Sequence, residues 1–84
     1  MNTKLNSQLI DAINLALNGD WHQAHIIAQE SSAPMACWIH AVLHKIEGDE
    51  GNSRYWYARA HANYEDYADP NEELKAIAQL LDKN

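Results

Sequence analysis

Hydrophobic residues recur along most of the chain at spacings of three and four. Near the start, Leu5, Leu9 and Ile13 lie four residues apart. This spacing places side chains on one face of an α-helix. A third segment has the most regular stripe, formed by Met35, Trp38, Ile39, Val42, Leu43 and Ile46. Since no segment alternates apolar and polar residues with the period of a strand, the pattern predicts an all-α fold.

Two Gly-Asp pairs mark the breaks between predicted helices. Gly19 can end the first helix in the left-handed conformation, and Asp20 can cap a second helix over about residues 21–30. Gly48 and Asp49 repeat this arrangement between the third and fourth helices. The pairs therefore predict two helical hairpins.

Two prolines mark further helix starts. Pro34 lies where the third helix begins, and the order Asp69, Pro70 is typical of a capped first turn. A fifth helix should then run to about residue 83, while residues 64–68 stay unplaced. We predict one domain over residues 1–84, built from about five antiparallel helices.

Composition excludes several classes of protein. The 84 residues include 6 Lys+Arg and 12 Asp+Glu, a formal net charge of −6, which disfavours nucleic acid as a partner. No apolar run approaches the roughly 20 residues that span a bilayer, so we expect no membrane contact. Polar residues interrupt the first 17 positions, so no signal peptide is expected and a cytoplasmic location is predicted. The acidic stretch 65–73 is expected to be a solvated face.

Cys37 is the one cysteine of the chain, so an internal disulfide cannot form. A lone thiol fits a reducing compartment. We interpret it as a buried structural residue, since a catalytic thiol would need an oxyanion-binding turn beside it that the sequence does not offer.

The second hairpin resembles tetratricopeptide and Sel1-like repeats. The resemblance lies in Gly48-Asp49, followed by Trp56-Tyr57 and Arg59-Ala60. It implies a stack of helical hairpins that binds other proteins, with the last helix as a cap. Repeat folds usually need three or more units, so two hairpins would leave an end for that helix or a partner chain to cover.

The segment 38–60 also looks like a group of small bacterial proteins of unassigned function. Its pattern reads WIHAxLHKxEGDxGNSRYWYxRA. This second resemblance implies a bacterial origin and the same fold.

Histidines on the third predicted helix form a candidate metal site. His40 and His44 are four residues apart, and Glu47 follows three residues later, so the trio shares one side of the helix. We expect this side to lie near the edge or back of the apolar stripe and not to be buried in it. Such a set can hold zinc or another transition metal, and His22 and His25 could add ligands if the hairpins bring them near. The alternative is that the histidines hydrogen-bond to neighbouring helices or to tyrosine hydroxyls.

The fourth predicted helix concentrates residue types common at binding hot spots. The predicted binding surface consists of His40, His44, Arg54, Tyr55 and Arg59. From it we predict a small protein-interaction module without a cofactor or catalysis of its own, whose partner is another protein or a second copy of the chain. The alternative is a metal- or small-ligand-binding protein, or a hydrolase, built on the histidines and Glu47.

Overall fold

A computed structural model describes residues 3–83. This part of the chain forms five α-helices and one short 3₁₀ turn, with no strand. The helices are α1 (Thr3–Leu17), α2 (Trp21–Gln29), α3 (Pro34–Glu47), α4 (Glu50–Ala60) and α5 (Pro70–Asp82), and the turn spans Tyr64–Asp66 between α4 and α5. The predicted all-α fold of about five helices is confirmed.

The predicted caps begin α2 and α4. The Asp20 carboxylate accepts a hydrogen bond from the backbone N–H of Gln23, and the Asp49 carboxylate accepts one from that of Asn52, both at 3.2 Å. Gly48 ends α3 with φ +87°, a conformation that strains residues with a side chain. The two Gly-Asp pairs therefore act through the local chemistry that the sequence suggested.

Consecutive helices pack as two hairpins around one core. Helix α1 packs against α2, α3 packs against both α2 and α4, and α5 returns to cover α1 and α3. The core draws buried side chains from every helix: Leu9, Ile13, Ala24, Ala28, Ile39, Val42, Leu43, Tyr57, Leu74, Ile77 and Leu81. No helix within residues 3–83 has the length and apolar character to cross a bilayer.

Helix α3 is the central helix of the fold. It contacts the other four helices, and its residues 39–44 are all buried. Ser53 of α4 donates its hydroxyl to the backbone oxygen of Ala41 at 2.7 Å, a contact that needs a small residue where the helices approach. Cys37 is buried, as predicted. Ile46, predicted to face the core, is instead 40% exposed near the end of the helix.

A buried carboxylate joins α5 to the second hairpin. Glu73 is fully buried, and its Oε2 accepts hydrogen bonds from Trp38 Nε1 at 2.8 Å and from the Tyr57 hydroxyl at 2.6 Å. Its Oε1 pairs with Lys45 Nζ at 2.9 Å. The expectation of a solvated face is therefore wrong for Glu73, which lies four residues before core residue Ile77 and shares its face of α5.

The ammonium group of Lys45 has no free donor in this arrangement. Besides Glu73, it donates to the backbone oxygens of Tyr64 at 2.9 Å and Tyr67 at 3.1 Å. Burial and the nearby Glu73 carboxylate raise the pKa of Tyr57, so its hydroxyl stays protonated and donates. The 3₁₀ turn, which the sequence left unplaced, is thus fixed by a lysine from α3.

Candidate functional site: a histidine cluster

Three imidazoles from two helices meet beside the core. His25 of α2 and His40 and His44 of α3 each have a ligand nitrogen within 4.8 Å of the other two. His40 and His44 are only 5% and 8% exposed. The expectation that they are not buried in the stripe is wrong, because His25 of α2 and Trp56 of α4 both pack against the ring of His40. We name these three residues the histidine cluster.

Two tryptophans frame the histidine cluster. Trp21 stacks on His25 with ring centroids 4.7 Å apart, and Trp56 stacks on His40 at 4.1 Å. Trp21 Nε1 also donates to the backbone oxygen of Leu43 at 2.6 Å, which ties α2 to α3. These contacts restrict the orientations of the His25 and His40 rings.

Glu47, predicted as a metal ligand, pairs with one histidine of the cluster. Its Oε1 lies 2.8 Å from Nδ1 of His44, which leaves Nε2 of that ring free for a ligand. Such a carboxylate–histidine pair is typical of metal sites, where it fixes the ring and its tautomer. Glu47 also lies near Asp49 and His44 in a second trio, but the Asp49 carboxylate already accepts two hydrogen bonds from Asn52.

Two of the imidazoles are held in the neutral form. Burial, followed by the proximity of His25 and His44, lowers the pKa of His40 to about 4. Burial, followed by His44, also lowers the pKa of His25. Metals bind the neutral ring, so at neutral pH these two residues have an unprotonated nitrogen available.

The structure divides the binding surface predicted from the sequence. His40 and His44 lie inside, whereas Arg54, Tyr55 and Arg59 are exposed. The Arg54 guanidinium is paired with Glu50 and Glu65, both at 2.7 Å. The five residues therefore do not form one continuous exposed surface.

Trp56 connects the interior histidines to the exposed residues of α4. Its ring stacks on His40. The Arg59 guanidinium lies 5.7 Å from the centroid of the same ring. Arg59 also lies over the Tyr55 ring and donates to its hydroxyl at 3.1 Å. Arg59 and Tyr55 thus contact Trp56, the ring that stacks on His40. Arg54 instead pairs with Glu50 and Glu65.

The sequence suggested His22 and His25 as additional ligands, and the fold brings one of the two to His40 and His44. His25 is part of the cluster, whereas His22 is exposed and is not among its residues. The spacing of Trp21 and His25, four residues apart on one helix face, was a usable signal for the stacked pair. The position of this stacked pair over α3 depends on how the hairpins pack, and the spacing of residues in the sequence does not reveal that packing.

Comparison with protein-family models, curated proteins and solved structures finds no match to this chain. The resemblance to tetratricopeptide and Sel1-like repeats therefore stays a prediction. The function is argued below from the geometry of the described residues.

Proposed function

We propose that this protein binds a divalent transition metal ion through His25, His40 and His44. The observation that carries the proposal is the convergence of three imidazole nitrogens within 4.8 Å. Nitrogens around a tetrahedral zinc ion lie roughly 3.3 Å apart, as follows from Zn–N bonds of about 2.0–2.1 Å. Small side-chain rotations would close the difference.

Hydrogen bonding favours a ligand over a purely structural role. The structural alternative requires these histidines to bond to neighbouring helices or to tyrosines. Within residues 3–83, none of the three makes such a bond: His44 bonds to Glu47 of its own helix, while His25 and His40 make ring contacts alone. Among the described residues no fully buried side-chain nitrogen or oxygen lacks a hydrogen-bond partner, so the unpaired ring nitrogens of His25 and His40 are reached by solvent and are accessible to an ion.

The three imidazole ligands limit the metals that the site would bind. Three neutral imidazoles suit zinc, copper, nickel or cobalt, whereas magnesium and calcium prefer oxygen ligands. The pairing of His44 with Glu47 would increase the basicity of its free nitrogen and strengthen the bond to the ion. We therefore propose zinc as the first metal to test.

Metal binding by protein purified without a histidine tag tests this proposal. In calorimetric titrations with Zn²⁺ and Co²⁺, the wild-type chain should bind one equivalent. His25→Ala and His40→Ala should each weaken binding more than roughly 100-fold, since removing a ligand costs more than removing its orienting partner. Glu47→Gln should weaken binding roughly 10–100-fold.

The control is His22→Ala, a histidine of the same helix as His25 that lies outside the cluster. It should bind as wild type does, and circular dichroism should show that each variant keeps its helices. Absence of binding by the wild-type chain, or equal losses in His22→Ala and His25→Ala, would contradict the proposal.

A protein-binding role for the exposed side of α4 is our second proposal. The observation that favours it is Tyr55, an aromatic residue 53% exposed with the Arg59 guanidinium lying over its ring. Tyrosine and arginine are enriched among residues that dominate binding energy. We expect the double variant Tyr55→Ala/Arg59→Ala to lose partners that wild type retains in a pull-down, while Arg54→Ala keeps them. Retention of every partner by the double variant would exclude this surface.

A further inference from the structure

A pocket lies between α1 and the end of α2, and it is separate from the histidine cluster. Its lining comes from residues 5–11 of α1 and from residues 27–31, and none of the lining residues belongs to the cluster. Its volume is about 310 Å³, at the lower end of the range for small-molecule sites. The pocket is therefore a candidate site for a small ligand that does not involve the proposed metal.

The more buried part of the lining is apolar. Leu5 and Leu9, four residues apart on one face of α1, line the pocket together with Ile27 of α2. Leu9 is 1% exposed, and the other two side chains are half-buried. Such side chains are stabilised by contact with hydrocarbon groups, so the pocket favours a ligand with an aliphatic portion.

The exposed part of the lining is acidic. Asp11 of α1 and Glu30, the residue that follows α2, both line the pocket and are both exposed. Neither carboxylate forms an ion pair or a hydrogen bond with another residue of the range 3–83. The described lining residues include no lysine, arginine or histidine. We name Asp11 and Glu30 the acidic rim, whose negative charge has no partner in this part of the chain.

The end of α2 adds to the negative charge of the acidic rim. Backbone carbonyl groups at the C-terminal end of a helix carry partial negative charge, which favours cations. Glu30 is the C-cap residue of α2, and the last turn of this helix has no basic residue that would offset the charge. Charge complementarity therefore selects a cation for the exposed part of the pocket.

We propose that this pocket binds a small organic ammonium ion. The aliphatic chain of the ligand packs against Leu5, Leu9 and Ile27, and its ammonium group lies at the acidic rim. An inorganic cation would leave the apolar side chains uncovered, and a neutral or anionic ligand would leave the acidic rim unpaired. The proposal goes beyond the metal site and does not depend on it.

Titration of the metal-free full chain with butylammonium at neutral pH tests this inference, followed through the backbone amide shifts in heteronuclear NMR spectra. The shifts should saturate and should centre on residues 5–11 and 27–31. Butanol, which has the same chain without the charge, should bind roughly 5-fold more weakly. Methylammonium, which lacks most of the chain, should bind at least roughly 10-fold more weakly.

Variants of the acidic rim locate the site. Asp11→Asn/Glu30→Gln should weaken the binding of butylammonium roughly 5-fold, to the level of butanol, since exposed charge pairs each contribute modestly. The matched control is Glu72→Gln/Asp82→Asn, which changes the net charge equally at exposed positions of α5 and should bind as wild type does. Circular dichroism should show that both double variants keep their helices.

Three results would overturn the proposal. The first is the absence of saturable shifts in the wild-type chain. The second is equal affinity for butylammonium and butanol, which would show that the acidic rim does not select the ligand. The third is an equal loss in the two double variants, which would show that butylammonium responds to the overall charge of the chain and not to this pocket.

Discussion

Replacement of Glu73 by alanine is expected to lower the free energy of unfolding by about 3–5 kcal/mol, the cost of removing one partner from a buried ion pair. The remaining partner, Lys45, would lose its carboxylate partner at a site where its side chain is 8% exposed. The Trp38 indole and the Tyr57 hydroxyl would also lose their acceptor. A chain of this size has a total stability of roughly 4–12 kcal/mol, so the variant would be close to unfolding.

Glu73→Gln keeps the measurement possible if the alanine variant does not fold. Its amide oxygen can still accept from Trp38 and Tyr57, but its amide nitrogen faces the Lys45 ammonium, so we expect a loss of about 1–3 kcal/mol. The control is Glu72→Gln, whose exposed pairing with Lys75 at 3.5 Å should contribute no more than about 0.5 kcal/mol. Urea denaturation measures all three variants. Equal losses for Glu72→Gln and Glu73→Gln would contradict a structural role for the buried pair.

Acid is expected to destabilise the fold through His40 before the carboxylates are protonated. Burial lowers the pKa of folded His40 from 6.5 to about 4, so in this pH window the unfolded chain takes up the proton and the folded chain does not. The stability due to the neutral ring is complete above pH 6.5 and is lost as pH falls toward 4. The shift corresponds to a loss of up to about 3 kcal/mol.

The pH dependence of urea denaturation, measured on metal-free protein between pH 7 and 4, tests this expectation. His40→Gln should show a shallower decline than wild type, since it removes a group that titrates differently in the two states. His61→Asn serves as the control, because His61 is exposed at φ +58° and asparagine tolerates that conformation. Parallel curves for wild type and His40→Gln would show that His40 does not set the acid sensitivity.

Local chemistry explains why the helices were predictable. Asp20 and Asp49 cap the helices that follow them, and Gly48 takes the left-handed conformation, because each effect depends on residues within one turn. The predicted fifth helix begins at Pro70 for the same reason. Errors arise where a side chain meets a distant helix, as with Glu73, whose burial depends on three partners at least 16 residues away.

The candidate site was predictable in part. The four-residue spacing of His40 and His44 predicted a shared helix face, and the structure places both in the histidine cluster. Glu47 lies outside the histidine cluster, with its carboxylate 2.8 Å from Nδ1 of His44, and its role as a ligand stays a prediction. His25 could be suggested but not assigned, since its distance from His40 depends on the packing of α2 on α3.

The sequence by itself determined the number of helices, their starts and stops, and the pairing of His40 with His44, because periodicity and capping act over a few residues. Only the tertiary structure decided which polar residues are buried and what they meet. It brings His25 to the other two histidines and places Glu73 against Lys45. These contacts form where separate helices pack together, and the sequence around one residue does not indicate its partner on another helix.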